Sequence, residues 1–145
     1  MKENYELMEH IYKDAEMASY TLTKLIRDLK DKDNKIKKTL EDIMKEYESW
    51  KKKAMKYLKK GKAEITDTSF FEKMMANMGI KKEVKCDNSD SAIAEMIIKG
   101  VSTGSTQMEK KIKAYDKEID KSTLDIAREF LKFQEKTIDK LKEFL

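Results

Sequence analysis

Apolar residues recur three and four positions apart along most of the chain, and the places where that rhythm breaks divide it into segments. Met8, Ile11, Ala15, Ala18, Leu22, Leu25 and Leu29 form the first seam. Lys, Asp and Glu fill most of the positions between them, so one face of a helix is apolar and the other charged. The spacing predicts a helix over about 4–31, roughly 40 Å long at 1.5 Å per residue. A second seam runs through Ile36, Leu40, Ile43, Tyr47, Trp50, Ala54 and Tyr57. Continuing the first phase would reach Lys32, Ile36 and Thr39, so the second seam has slipped by one residue. Asp31-Lys32-Asp33-Asn34 lies at the slip and suits a turn with a new N-cap. The reading is a tight hairpin with a second helix over about 34–60. One unbroken helix in a coiled-coil dimer, its phase slip tolerated as a stutter, is the competing arrangement.

Gly61 suits the end of the second helix, and a long connection follows, from Gly61 to Asn88. Ser69 and Glu72 have the spacing of a capping box and Gly79 can terminate a short helix over about 70–78. The Asp87-Asn88-Ser89-Asp90 cluster opens a third helix over about 89–119, its buried side marked by Ile93, Ile97, Gly100, Gly104, Met108, Ile112 and Tyr115. Asp120-Lys121-Ser122 makes a second tight turn. Ser122 is then the expected cap of a fourth helix over about 122–145, with the seam Leu124, Ala127, Leu131, Gln134, Ile138, Leu141 and Leu145.

Four amphipathic helices of similar length bury their stripes together most simply as an all-α four-helix bundle, read here as one domain over 1–145. Two short links make helices 1 and 2, and helices 3 and 4, antiparallel neighbours. The long middle connection can run the length of the bundle, which would make helices 2 and 3 parallel in a ferritin-like topology. This order is preferred over up-down-up-down. The segments Tyr12-Lys13-Asp14-Ala15-Glu16-Met17 and Ile93-Ala94-Glu95-Met96-Ile97-Ile98-Lys99-Gly100, with the helix order, resemble uncharacterised small ferritin-like four-helix-bundle proteins. That resemblance implies the fold and little about activity.

Composition supports the helices: there is no proline, only 4 glycines, and 41% of residues are charged. The formal net charge is +4 with 32 basic residues against 28 acidic ones, and Arg27 and Arg128 are the only arginines. Dedicated nucleic-acid readers usually recruit arginine, so no specific nucleic-acid partner is expected. Cys86 is the only cysteine; a cytoplasmic, reducing location is the simpler expectation. No apolar run is long enough to span a membrane, and peripheral membrane contact stays open.

Ferritin-like members with a di-iron centre use a carboxylate on each of two helices and Glu-x-x-His on the other two. His10 is the only histidine here and no Glu-x-x-His occurs. No cofactor is therefore expected; the alternative is iron or manganese held by Glu16, Glu46, Glu95 and Glu135, one acid from each helix. Glu6 and His10 have chelating spacing but read as an exposed pair near the terminus. Phe70, Phe71, Met74, Met75 and Met78 form an apolar surface that suits a protein partner or self-association, and Met74, Met75 and Met78 with Cys86 could also bind Cu(I). Lysines 51, 52, 53, 56, 59, 60 and 62 read as a solvated helix end. Gly100 and Gly104 share one face in mid-helix, where each costs about 1 kcal/mol relative to alanine. They allow close packing, room for a ring such as Trp50, or a notch for a small molecule with Gln134 as its polar contact. The leading expectation is a non-enzymatic bundle acting through protein–protein or self-association. The alternatives are a metal-binding ferritin-like protein with a redox or storage role, and small-molecule binding at the glycine-lined notch.

Overall fold

The computed structural model describes residues 2–60 and 88–145. Four helices make it up: α1 (Lys2–Asp28), α2 (Lys37–Lys60), α3 (Asp90–Tyr115) and α4 (Lys121–Lys142). The protein is an all-α four-helix bundle. The expected cap at Gly61 and the short helix over 70–78 lie outside the described residues.

The first two seams bury at most of their positions; Ala18, Trp50 and Tyr57 are only partly buried, and Leu7 and Leu58 join the core from beside the seams. Leu7, Met8, Ile11, Ala15, Leu22 and Leu25 of α1 meet Leu40, Ile43, Tyr47, Ala54 and Leu58 of α2. The phase slip between them is a turn, which excludes the single continuous helix. That turn is longer than the acidic cluster alone suggested, because Leu29 and Ile36 both fold into the core with no exposed surface. The Lys37 ammonium bonds the carbonyls of Lys30 and Lys32 in the turn that follows α1.

The fourth seam corrects the sequence reading. Thr123, Ala127, Phe130, Gln134, Thr137 and Leu141 face the core, while Leu124, Leu131 and Ile138 pack on its flank and Leu145 is exposed. The helix is turned by one residue because small threonines can face inward once their hydroxyls are bonded. Thr137 donates to the Phe133 carbonyl at 2.9 Å, and Thr123 lies 3.4 Å from the Tyr57 hydroxyl. Rotation seats Phe130 among Tyr47 and Trp50 in edge-to-face contacts. On α3, Val101 is buried and Gly100 is not fully so.

Contacts along the bundle set the helix directions. Asn34 meets Asp90, His10 meets Gly104 and Asn4 meets Asp120, so α1 and α3 are antiparallel. Tyr57 meets Thr123, Lys53 meets Glu129 and Glu46 meets Lys140, so α2 and α4 are antiparallel. Since α1 and α2 form a hairpin, α2 and α3 run in the same direction. Lys60 and Asn88 stand at opposite ends of the bundle.

Each end is held by an asparagine. The Asn4 amide donates to the Asp120 carboxylate at 2.9 Å and its carbonyl accepts from the Asp120 backbone N–H at 3.0 Å. Asp120, not Ser122, is the N-cap of α4, and its side chain makes no cap bond because Asn4 engages it. At the other end Asn34 donates to the Asn88 carbonyl and the Asp90 carboxylate, both at 2.8 Å. The second Asp90 oxygen accepts from the Lys35 N–H at 3.1 Å. Asn34→Ala removes two interhelical bonds from a partly buried site, and a loss of about 1–3 kcal/mol is expected in urea denaturation. An unchanged midpoint would mean the clamp contributes nothing.

Candidate functional site

Midway along the bundle every helix brings a side chain or backbone group to one polar layer. α1 supplies His10 and Asp14, one turn apart on the same face. α2 supplies the Tyr47 hydroxyl, α3 the Gly104 carbonyl and α4 the Gln134 amide. Gln134 Nε2 donates to Asp14 Oδ2 at 2.8 Å and lies 3.4 Å from the Tyr47 hydroxyl. Gln134 has no exposed surface, and its Oε1 is buried without a hydrogen-bond partner among the described residues. The ring of Tyr47 is wedged edge-on against Phe133, centroids 4.7 Å apart, which fixes where its hydroxyl points.

Gly104 explains itself here. A Cβ on that residue would stand 2.5 Å from Asp14 Oδ2 and 2.9 Å from Oδ1. The missing side chain is the space the carboxylate occupies. Gly100, one turn earlier, differs: nothing lies within 4 Å of where its Cβ would be. It opens onto a cavity of about 180 Å³ between α1, α2 and α3. Met17, Ala18, Leu22, Met96, Ile97 and Val101 give this cavity apolar walls, and Asp14, Tyr47, Thr21, Thr103 and Lys99 bring polar groups to it.

The histidine is also placed by its bonds. Its Nε2 is 3.2 Å from the Gly104 carbonyl and its Nδ1 is 3.4 Å from the Lys111 ammonium. A carbonyl only accepts and an ammonium only donates, so the neutral ring with its proton on Nε2 satisfies both. Burial, then the Lys111 charge, push His10 down from 6.5 to about 4, against the pull of the Gly104 carbonyl. Burial pushes Asp14 up from 3.8 to about 6, opposed by the Gln134 bond. Burial and the Asp14 carboxylate raise the Tyr47 phenol far above its usual range, so it stays protonated. His10 Nε2 and Asp14 Oδ2 are 3.9 Å apart.

The residues expected to form sites are distributed as follows. Gly100, Gly104 and Gln134 come together around Asp14. Trp50 does not join them: it lies on the outer side, stacked near Phe133 with the Lys53 ammonium 5.0 Å above its ring. Glu16, Glu46, Glu95 and Glu135 are not brought together. Glu16 is buried beside Ser19 and hydrogen-bonded by Tyr12. Glu46 reaches Lys140, Glu95 reaches Lys99, and Glu135 is exposed. Among the described residues no group of three or more His, Cys, Asp and Glu side chains could hold a metal ion. His10 is mostly buried rather than exposed, with 9% of its side chain accessible, and Glu6 bonds Tyr115 instead of sharing a ligand with it. Phe70, Phe71, Met74, Met75, Met78 and Cys86 lie outside the described residues.

Asp14 was missed because it stands beside a seam residue, Ala15, and so reads as the polar edge of the stripe. Its signal was indirect: Gly104 left an unexplained gap at mid-height on α3, and Gln134 was the one polar residue in the fourth seam. Each asks for a polar neighbour at the same height. No family model, no curated protein and no solved structure matches the chain.

Two predictions follow from opposite shifts in one pair. Between about pH 4 and 6 the unfolded chain holds a proton on His10, whereas the folded chain holds it on Asp14. Both states bind one proton, so the pair adds almost no pH slope to stability. Asp14→Asn leaves only the depressed histidine, and stability should then fall, relative to the parent, as pH drops from 6.5 to 4. His10→Gln leaves only the raised carboxyl, and stability should rise over the same descent. Each slope is at most roughly 1.4 kcal/mol per pH unit, read by urea denaturation at several pH values. Parallel profiles for all three proteins would refute the opposed shifts. The glycines should also separate: Gly104→Ala is expected to cost about 1–3 kcal/mol by displacing the carboxylate, while Gly100→Ala gains about 0.5–1 kcal/mol from helix propensity.

Proposed function

We propose that the chain is a binding protein for a small, largely apolar molecule held in the cavity between α1, α2 and α3. The observation that carries this reading is the space under Gly100, about 180 Å³ with apolar walls. Apolar cavities of about 150 Å³ in helical proteins accept benzene. Protein interiors otherwise pack densely, and a helix gives up stability to place glycine at its middle. A void retained at that cost has a use in admitting something.

The association reading rests on Phe70, Phe71, Met74, Met75 and Met78. Over the described surface Tyr20 and Leu145 are the exposed large apolar residues, too scattered to support a partner patch. The parallel course of α2 and α3 supports grouping the bundle with the ferritin-like arrangement. The dispersal of Glu16, Glu46, Glu95 and Glu135 lends no support to an iron or manganese centre, so the shared feature is the scaffold. A cytoplasmic location remains the reading favoured by the lone Cys86.

Gly100→Leu tests the proposal. Leucine there extends into the void, so the ligand-free protein is expected to gain about 1–2 kcal/mol from propensity and burial. In thermal unfolding with ethylbenzene the parent should melt higher with ligand and the variant should show no such rise. An equal rise in both proteins would place binding elsewhere.

A further inference from the structure

The cavity's polar chemistry is one-sided. The two charged residues on its wall are Asp14 and Lys99. Lys99 is 72% exposed at its side chain and reaches Glu95, so its charge faces water. Two threonines line the wall, and each donates its proton to its own helix: Thr21 to the Met17 carbonyl and Thr103 to the Lys99 carbonyl, both at 2.9 Å. The Asp14 side chain is only 10% exposed. Its hydrogen-bond donor is a neutral amide, and the ring 3.9 Å away is held neutral by Lys111 and burial. Among the described residues no lysine or arginine forms an ion pair with this carboxylate, and a buried anion without one is costly.

Resting on the cavity reading above, we propose that the ligand is a compact organic amine, bound as its ammonium ion, with its hydrocarbon body under Gly100 and its nitrogen on the Asp14 carboxylate. An ammonium has three donors and no acceptor, which complements a carboxylate and threonine oxygens better than an alcohol or an acid would. The volume admits a single ring with one or two further heavy atoms, by comparison with the roughly 150 Å³ that holds benzene. A carboxylic acid or phosphate is excluded by repulsion from Asp14.

The groups facing Asp14 are His10 on its own helix, Tyr47 from α2, Lys99 and Lys111 from α3, and from α4 the uncharged Gln134. Between about pH 5 and 8 Tyr47 stays protonated and His10 stays neutral, so Asp14 is the group of this layer whose charge changes. Amine binding should therefore weaken as pH falls through about 6, approaching tenfold per unit below it.

Benzylamine and ethylbenzene form a matched pair, alike in shape and differing by an ammonium for a methyl group. Titration calorimetry of the full chain at pH 7.5, with two-dimensional NMR to locate the perturbed residues, compares them on the parent, Asp14→Asn and Gly100→Leu. The expected result is that benzylamine binds the parent at least tenfold more tightly. That advantage should vanish in Asp14→Asn and, in the parent, shrink about tenfold at pH 5, while Gly100→Leu binds neither. Binding of ethylbenzene with no preference for the amine, or a preference that survives Asp14→Asn and does not shrink at pH 5, overturns the amine assignment and leaves the cavity reading standing. Binding of neither compound defeats the cavity reading and this inference together. Should Asp14→Asn fail to fold, the parent's pH profile decides alone.

Discussion

The bond from the Gln134 amide to the Asp14 carboxylate is the constraint around which the bundle is arranged. It joins α1 to α4 across the core, with α2 contributing Tyr47 and α3 contributing the bare backbone of Gly104 at the same height. A hydrogen bond to a charged group contributes about 1.5–3 kcal/mol, and losing one partner in a buried site costs more than the pair is worth. The Leu, Ile and Met residues above and below can interdigitate in several registers. A carboxylate that fits only against a glycine cannot. Sliding α3 by one turn so that Asp14 faces Met108 would put a side chain where the carboxylate now sits. The apolar seams thus supply most of the favourable free energy, and the polar layer selects one alignment among several that would bury the same surface.

Much of this was legible in the chain. Helix number, the hairpin at Asn34, the third helix and the bundle follow from periodicity, because a 3.6-residue stripe is a direct record of which side faces the core. The rotation of α4 was not. Leu124, Leu131 and Ile138 offered a stripe as apolar as the true one, and nothing local to α4 says that Thr123 and Thr137 will satisfy their hydroxyls and turn inward. Gly100, Gly104 and Gln134 were recognisable as a group because each is out of place in its seam. Asp14 and His10 were not, since a buried charged residue beside an apolar stripe has the same pattern as an exposed one. Trp50 was drawn towards the notch by its size alone, whereas its ring is satisfied by Phe130 and Phe133. The acids on the four helices matched only in number; their heights and faces, which decide whether carboxylates converge, are tertiary facts.

Stability and the proposed binding draw on the same residues in opposite ways. Gly104 is required by the architecture, for a side chain there would collide with Asp14. Gly100 is required by nothing in the packing, and a larger residue would make a better helix. A neutral side chain in place of Asp14 would likewise spare the bundle a buried charge at neutral pH. These two departures from an optimal core lie at the same cavity, the pattern expected where a fold retains unfavourable features for a site.

The asparagine clamps give the bundle a mechanical character. Asn4 ties the start of α1 to the turn before α4, and Asn34 ties the turn after α1 to the start of α3. With α3 fastened near both extremities, it resists sliding along α1 and yields instead by bowing, like a beam supported at its ends. A supported beam deflects most at midspan. For α3 (Asp90–Tyr115) midspan falls between Gly100 and Gly104, its least stiff stretch and the wall of the cavity. The stretch of α3 most free to bow away from α1 is thus the one that walls the cavity, with the register of the bundle preserved at either end.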